Sequence, residues 1–71
     1  MSESVYRVTE VIGVSPESWE AAVRNAVETA ARTVRDLRVA EATRFDVTIQ
    51  DGKVESFRVR LDISFKYEKG D

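Results

Sequence analysis

Two changes of period divide the chain into segments of different predicted structure. Residues 5–12 are rich in β-branched side chains and predict a first strand, which Gly13 closes. Ser15 and Pro16 are typical of a helix start, because a serine hydroxyl accepts hydrogen bonds from free amides and proline has no amide hydrogen to leave unbonded. A helix of about 20 residues, roughly 30 Å long, is predicted to follow, with Trp19 in the core. Its apolar stripe consists of Trp19, Ala22, Val23, Ala26, Val27, Ala30, Val34 and Leu37.

The remaining chain alternates apolar and polar residues with the period of a strand. Residues 38–50 predict a second strand, in which the apolar positions change parity near Thr43 and Arg44, as they do at a bulge or bend. Asp51-Gly52 predicts a type I′ hairpin turn, and residues 53–67 predict the third strand. One face of that strand carries Phe57, Val59, Leu61, Ile63, Phe65 and Tyr67, and the other carries Ser56, Arg58, Arg60, Asp62, Ser64 and Lys66.

These elements predict an α+β fold of order β-α-β-β, in which a three-stranded antiparallel sheet wraps around one long helix. We expect a single domain over residues 1–71. The third strand is long for so small a domain, because about 15 residues reach roughly 50 Å whereas a compact chain of this length is roughly 30 Å across. We therefore expect the strand to curl around the helix, project into neighbouring subunits, or both.

The composition narrows the possible functions. Ordering the chain costs about 1.5 kcal/mol per residue. In a chain this small, the burial of apolar surface offsets little more than that cost, so we expect the isolated monomer to have a folding free energy near zero. The chain has no Cys and no His, which excludes disulfides, Cys/His zinc sites and the usual catalytic triads. We therefore expect an obligate assembly of copies of this chain and no enzymatic activity.

A net charge of −2 and the lack of a long apolar segment predict a soluble, cytoplasmic protein that binds neither nucleic acid nor membrane.

Several segments, taken together, resemble the dodecins. They are Tyr6-Arg7-Val8, Glu10-Val11-Ile12-Gly13, Ser15, the end of the Ala-rich helix at Thr33-Val34-Arg35-Asp36-Leu37, Phe57-Arg58-Val59 and Ile63-Ser64-Phe65-Lys66-Tyr67-Glu68. The resemblance covers essentially the whole chain in order. It implies a β-α-β-β protomer, a hollow homododecamer of 23 symmetry, and a role in storing or buffering flavin rather than in catalysis.

The flavin site that the resemblance implies is altered in this sequence. Flavin-binding dodecins stack paired isoalloxazine rings on a Trp early in the second strand and add a polar side chain, usually Gln, from the third. The matching positions here are Val39 and Arg58, and Asp46-Val47 stands where the family often has Arg-Gly. Because Val cannot stack and Arg donates hydrogen bonds without accepting any, we expect weak flavin binding or none.

The resemblance implies two further ligands. Tyr6, Arg35 and Lys66 match positions of a phosphate-rich site for coenzyme A in some dodecins. Ser18-Trp19-Glu20 and Arg38-Val39-Ala40 are closer to a subgroup described as calcium dodecins, so Ca²⁺ is a second candidate, with unknown ligands. The leading hypothesis is a storage protein for a small ligand or a cation. The alternatives are a true FMN- or riboflavin-binding dodecin with a changed pocket and a purely structural assembly.

Overall fold

The computed structural model describes residues 4–66, which form three strands and one helix. These are β1 (Tyr6–Ser15), α1 (Trp19–Ala30), β2 (Leu37–Gln50) and β3 (Lys53–Lys66). The strands form one antiparallel sheet of order β1-β3-β2, so that β3 is central and pairs with both neighbours. The α+β class and the β-α-β-β order predicted from sequence are confirmed. The predictions for Tyr67 and Glu68 lie outside the described residues.

The first strand is longer than predicted, because Gly13 lies inside it rather than at its end. Gly13 pairs with Val59 of β3, and the strand continues to Ser15. A Cβ atom at Gly13 would collide with the carbonyl oxygen of Ala22 and lie 2.9 Å from the Cβ of Ala26. The absent side chain therefore lets α1 pack closely on β1.

The helix begins later and ends earlier than predicted. Ser18, not Ser15, is the N-cap, and its hydroxyl accepts a hydrogen bond from the amide of Ala21 at 3.0 Å. The Ser15 hydroxyl instead accepts from the amide of Glu17, which shapes the turn between β1 and α1. At the other end, α1 stops at Ala30 after 12 residues, which is about 18 Å of helix. The apolar spacing continues to Leu37 only because that residue packs on the core from the start of β2.

The core is small and lies where α1 covers the sheet. Its buried side chains are Ala22, Ala26, Val59, Leu61 and Ile63. The three from β3 share the parity that the alternating sequence predicts for its buried face. The radius of gyration is 14.9 Å, compared with about 11 Å for a compact chain of this length, and the long dimension is 55 Å. The β2–β3 hairpin therefore projects beyond the core, where Ile49 and Val54 are exposed.

The predicted bulge and hairpin turn are both confirmed. The register of β2 against β3 shifts between Ala42 and Arg44, and the hydroxyl of the bulged Thr43 donates to the carbonyl of Arg60 at 3.2 Å. At the turn, Asp51 and Gly52 both have positive φ, 53° and 72°, as a type I′ turn requires.

Candidate functional site

The sheet face that points away from α1 carries most of the charged side chains of the three strands; we call it the polar face. Partners in an antiparallel pair share a face, so the residues of the polar face form rows across the three strands. Successive rows are Val8–Ser64–Val39, Glu10–Asp62–Glu41, Ile12–Arg60–Arg44 and Val14–Arg58–Asp46. The bulge at Thr43 changes the parity of β2, which places Asp46 on the polar face and turns Phe45 towards the helix side.

Asp46 and Arg58 form a bidentate ion pair across β2 and β3. The Nε of Arg58 donates to Oδ1 of Asp46 at 2.8 Å, and its Nη2 donates to Oδ2 at 2.9 Å. The hydrogen bonds from Arg58 hold the pKa of the Asp46 carboxyl below its ordinary value, and the charges of Arg58, Arg44 and Arg60 lower it further. The same pair raises the pKa of Arg58. Both groups are therefore charged at neutral pH. The pair uses both carboxylate oxygens of Asp46 and two of the three guanidinium nitrogens of Arg58.

Val39 lies on the polar face but far from this ion pair. It is 62% exposed, and its partner in β3 is Ser64, whose hydroxyl donates to the Val39 carbonyl at 3.4 Å. Ser64 and Arg58 are six residues apart along β3, which is about 20 Å of extended strand. One protomer therefore does not bring Val39 together with Asp46 and Arg58, although sequence matching assigns them to a single pocket.

A cleft of about 500 Å³ opens beside the segment that connects α1 to β2. Its lining consists of Arg7, Thr33, Val34, Arg35, Asp36, Phe65 and Lys66. Two of the three residues expected at a phosphate-rich site, Arg35 and Lys66, line this cleft. Tyr6 pairs with Lys66 in the sheet but is not part of the lining. Sequence reasoning missed Arg7, which is a charged residue at a helix-side position of β1.

A second, largely apolar groove of about 430 Å³ runs between α1 and β1. It is lined by Val11, Ile12, Gly13, Val14, Asn25, Ala26, Thr29, Ala30 and Thr33. Within residues 4–66, β1 pairs with β3 alone, so its other edge is open along this groove. The side-chain amide of Asn25 reaches from α1 to β1 here and donates to the Val14 carbonyl at 3.5 Å.

Trp19 is not in the core of the protomer, contrary to the prediction. The side chain is 39% exposed, and its Nε1 donates to the backbone carbonyl of Asp46 at 3.0 Å. Its ring meets Phe45 and Phe57 edge to face, with centroids 5.9 and 5.1 Å away. Because α1 begins at Trp19, the indole packs at the margin of the core and links the helix start to the strand segment that carries Asp46.

Residues 4–66 do not bring together a set of metal ligands. Glu10, Asp62 and Glu41 occupy one row of the polar face. Nevertheless, no three acidic side chains in the described part of the chain lie close enough together to hold a metal ion. The helix within residues 4–66 is also too short and too polar to cross a membrane.

Comparison with known proteins gives consistent matches over nearly the whole chain. The sequence model of the family described as Dodecin matches residues 5–68. The chain is 41% identical over 63 residues to calcium dodecin of Mycobacterium tuberculosis, covering 89% of each protein. It is 34% identical over 65 residues to dodecin of Thermus thermophilus, covering 92% of this chain and 94% of that protein.

Solved structures of dodecins also superpose on this chain over nearly its whole length. Dodecin from Streptomyces coelicolor superposes with a TM-score of 0.92 at 44% identity, covering 99% of this chain and 100% of that one. The crystal structure of calcium dodecin from Mycobacterium tuberculosis, described as a calcium-chelating immunodominant antigen with a novel calcium-binding site, superposes with a TM-score of 0.81 at 40% identity, covering 96% and 97% of the two chains.

Proposed function

Because this chain belongs to the dodecin family, we propose that it is a non-enzymatic storage or buffering protein that binds a small ligand or a cation. We propose further that it assembles into a hollow dodecamer and that its flavin binding is weak or absent. The observation that carries this proposal is the ion pair between Asp46 and Arg58, which stands at positions matched to the flavin site of the family.

The ion pair is a poor environment for an isoalloxazine ring. The flavin site that the resemblance implies combines an aromatic platform with a side chain that both donates and accepts hydrogen bonds. Val39 supplies no platform, and Arg58 supplies only donors, two of which already bind Asp46. Covering this charged pair with a flat, largely apolar ring would also remove water from it, which costs free energy.

Exposed apolar surface supports the assembly. Within residues 4–66, ten large hydrophobic residues are exposed, and exposed apolar patches mark sites of protein–protein contact. They are Val5, Tyr6, Val8, Ile12, Val14, Trp19, Val39, Phe45, Ile49 and Val54. The dodecin family forms oligomers, and neighbouring copies would cover these residues. A ligand that touches both Val39 and Arg58 would then have to lie between copies, since one chain holds them about 20 Å apart.

A phosphate-rich ligand such as coenzyme A is favoured at the cleft beside the α1–β2 connection. Arg7, Arg35 and Lys66 bring three cationic groups to its lining against one carboxylate, Asp36. Such a surplus of positive charge suits phosphate oxygens, and guanidinium groups bind them with two parallel hydrogen bonds.

Calcium is the other candidate, by analogy with the Mycobacterium tuberculosis relative that is named for it. Ca²⁺ takes six to eight oxygen ligands, and no three acidic groups within residues 4–66 meet in one protomer. A calcium site that uses three carboxylates of residues 4–66 would therefore combine oxygen atoms from more than one copy of the chain.

The proposal is tested by titrating the purified wild-type particle with riboflavin, CaCl₂ and coenzyme A. Native mass spectrometry of the same sample gives the number of subunits. We expect a twelve-chain mass, little quenching of riboflavin fluorescence, and calorimetric heat with CaCl₂ or coenzyme A. Riboflavin quenching at micromolar or lower concentration would contradict the loss of the flavin site. Silence with all three ligands would favour a purely structural assembly.

A further inference from the structure

Three arginine side chains surround one carboxylate on the polar face. Arg44 of β2 and Arg60 of β3 are direct cross-strand partners, and Arg58 and Asp46 form the adjacent pair. Together with Ile12 these four residues line a small depression of about 40 Å³. The depression lies at the opposite end of the polar face from Lys66, and it is distinct from the cleft that contains Arg35.

One of the three guanidinium groups in this depression, that of Arg44, has no ion-pair partner within residues 4–66. Asp46 is occupied by its two hydrogen bonds from Arg58. Arg60 forms a long ion pair with Glu10, 3.8 Å from its Nε to the Oε2 of Glu10. The Arg44 side chain makes no hydrogen bond or ion pair within residues 4–66, although its charge attracts the nearby Asp46 carboxylate. Because like charges directly opposite each other in a sheet are destabilising, the Arg44–Arg60 pair favours a further counter-charge, and no carboxylate in the described residues lies within ion-pair distance of Arg44.

The surroundings limit the size of that counter-charge. The row Glu10–Asp62–Glu41 lies on one side of the two arginines, and its three carboxylates repel any extended polyanion. The ion pair of Asp46 lies on the other side, and Ile12 of β1 flanks Arg60. The space left over the two guanidinium groups therefore favours a compact anion with several acceptor oxygens, which two arginine forks can bind together.

We propose that Arg44 and Arg60 bind a small tetrahedral oxyanion, either free phosphate or the terminal phosphate of a monoester, beside the Asp46–Arg58 ion pair. This anion site goes beyond the proposed function, which names a ligand at the Arg35 cleft and a cation but none here. Its ligand also differs from riboflavin, which carries no phosphate, so the two proposals fail in different experiments.

The test is calorimetric titration of the assembled particle with inorganic phosphate, adenosine monophosphate and adenosine at low, matched ionic strength. We expect phosphate to bind to wild type and the double variant Arg44→Gln/Arg60→Gln to bind it at least tenfold more weakly. Arg24→Gln is the matched control, because Arg24 pairs with Glu20 on the exposed side of α1. Arg35→Gln is a second control, which shows whether phosphate binds in the cleft instead. Neither control variant should reduce the phosphate binding that the double variant loses.

The monophosphate arm distinguishes the two sources of the ligand. Binding of adenosine monophosphate without binding of adenosine identifies a monoester site, whereas binding of phosphate alone restricts the site to the free ion. The proposal is overturned if the wild-type particle binds neither anion at millimolar concentration, or if the double variant binds as tightly as wild type. It is also overturned if wild type binds no anion and the double variant loses particle mass, since the arginines would then pair with carboxylates of a neighbouring copy.

Arg44→Lys provides a second variant in case the double variant does not assemble. Lysine keeps the positive charge but lacks the two-pronged donor geometry of arginine. We expect it to preserve the particle mass by native mass spectrometry and to weaken phosphate binding several-fold. Unchanged phosphate affinity in an assembled Arg44→Lys particle would also overturn the site.

Discussion

Asp46 has a defined electrostatic partner and is therefore the residue whose protonation the structure predicts most directly. Its carboxylate accepts two hydrogen bonds from Arg58, and two further arginines, Arg44 and Arg60, add positive charge nearby. All of these favour the ionised carboxylate and lower the pKa of Asp46 relative to an unfolded chain. A lowered pKa stabilises the folded state at pH above the unfolded-state value, and that stabilisation is lost as the pH falls through the folded-state pKa.

We predict that substituting Arg58 by Gln raises the pKa of Asp46 towards its ordinary value, because the strongest favourable interaction of the carboxylate is removed. The measurement is an NMR titration of the Asp46 side-chain carbon in wild type and in Arg58→Gln. Arg24→Gln serves as the control, since Arg24 pairs with Glu20 and not with Asp46. An Asp46 titration that is the same in wild type and in Arg58→Gln would show that the ion pair is not formed in solution.

The helix α1 depends on its first turn because it has only 12 residues. Isolated helices of this length are marginal in water, so the cap and the packing against β1 and β3 stabilise it. The Ser18 hydroxyl satisfies the amide of Ala21, which has no partner within the helix. The chain after Ala30 is held by turns, in which the amides of Thr33 and Val34 both donate to the Ala30 carbonyl.

We predict that Ser18→Ala lowers the free energy of unfolding by about 1 kcal/mol, the typical cost of losing a serine N-cap. Thr33→Ala is the matched control in the turn that follows the other end of the helix. The Thr33 hydroxyl is exposed and makes only a long hydrogen bond of 3.5 Å, so its removal should change stability by less than about 0.5 kcal/mol. The measurement is urea unfolding at one fixed protein concentration, because assembly makes stability concentration-dependent. Equal losses in the two variants would contradict the assignment of Ser18 as the cap.

At the scale of the whole molecule, the protomer is an elongated unit with a small core at the region covered by α1. Its sheet has a polar face that carries Val39 near one end and the Asp46–Arg58 pair near the other. A ligand site that needs both therefore belongs to the assembly rather than to the chain. The affinity of such a site for its ligand should therefore change when a single side chain on the polar face is enlarged so that it reaches from one copy towards another.

We predict that Val39→Trp strengthens riboflavin binding by about 5- to 150-fold, since a stacked aromatic ring contributes about 1–3 kcal/mol. Val39 is 62% exposed in the protomer, so a larger side chain does not displace the core. Val8→Trp is the matched control, because Val8 is 64% exposed and lies in the same row of the polar face, on β1. Riboflavin fluorescence in each assembled variant is the measurement.

Adding Arg58→Gln to Val39→Trp supplies an acceptor as well as a donor and should strengthen binding again. If Val8→Trp gains as much affinity as Val39→Trp, the gain comes from added aromatic surface and not from a restored flavin site. If neither variant gains affinity, the match between Val39 and the stacking position of the family does not hold in this protein.

Local sequence patterns by themselves determined the order and type of the elements. The alternation in β3 identified its buried residues, the parity change near Thr43 identified the bulge, and Asp51-Gly52 identified the hairpin. These features depend on residues only a few positions apart, through the strand period and the backbone angles that a turn requires. The same patterns overestimated α1, because Leu37 continues the helical spacing while lying in β2.

Only the tertiary structure decided where the chemistry-bearing residues meet. Placing β3 between β1 and β2 aligns Arg44 with Arg60 and Asp46 with Arg58, and it separates Val39 from both pairs. It also brings Arg7 to the cleft of Arg35, although the two residues are far apart in sequence. These contacts depend on the register between distant strands and on the residue at which the helix ends. Burial of the core as a whole selects both, and no local period in the sequence encodes them.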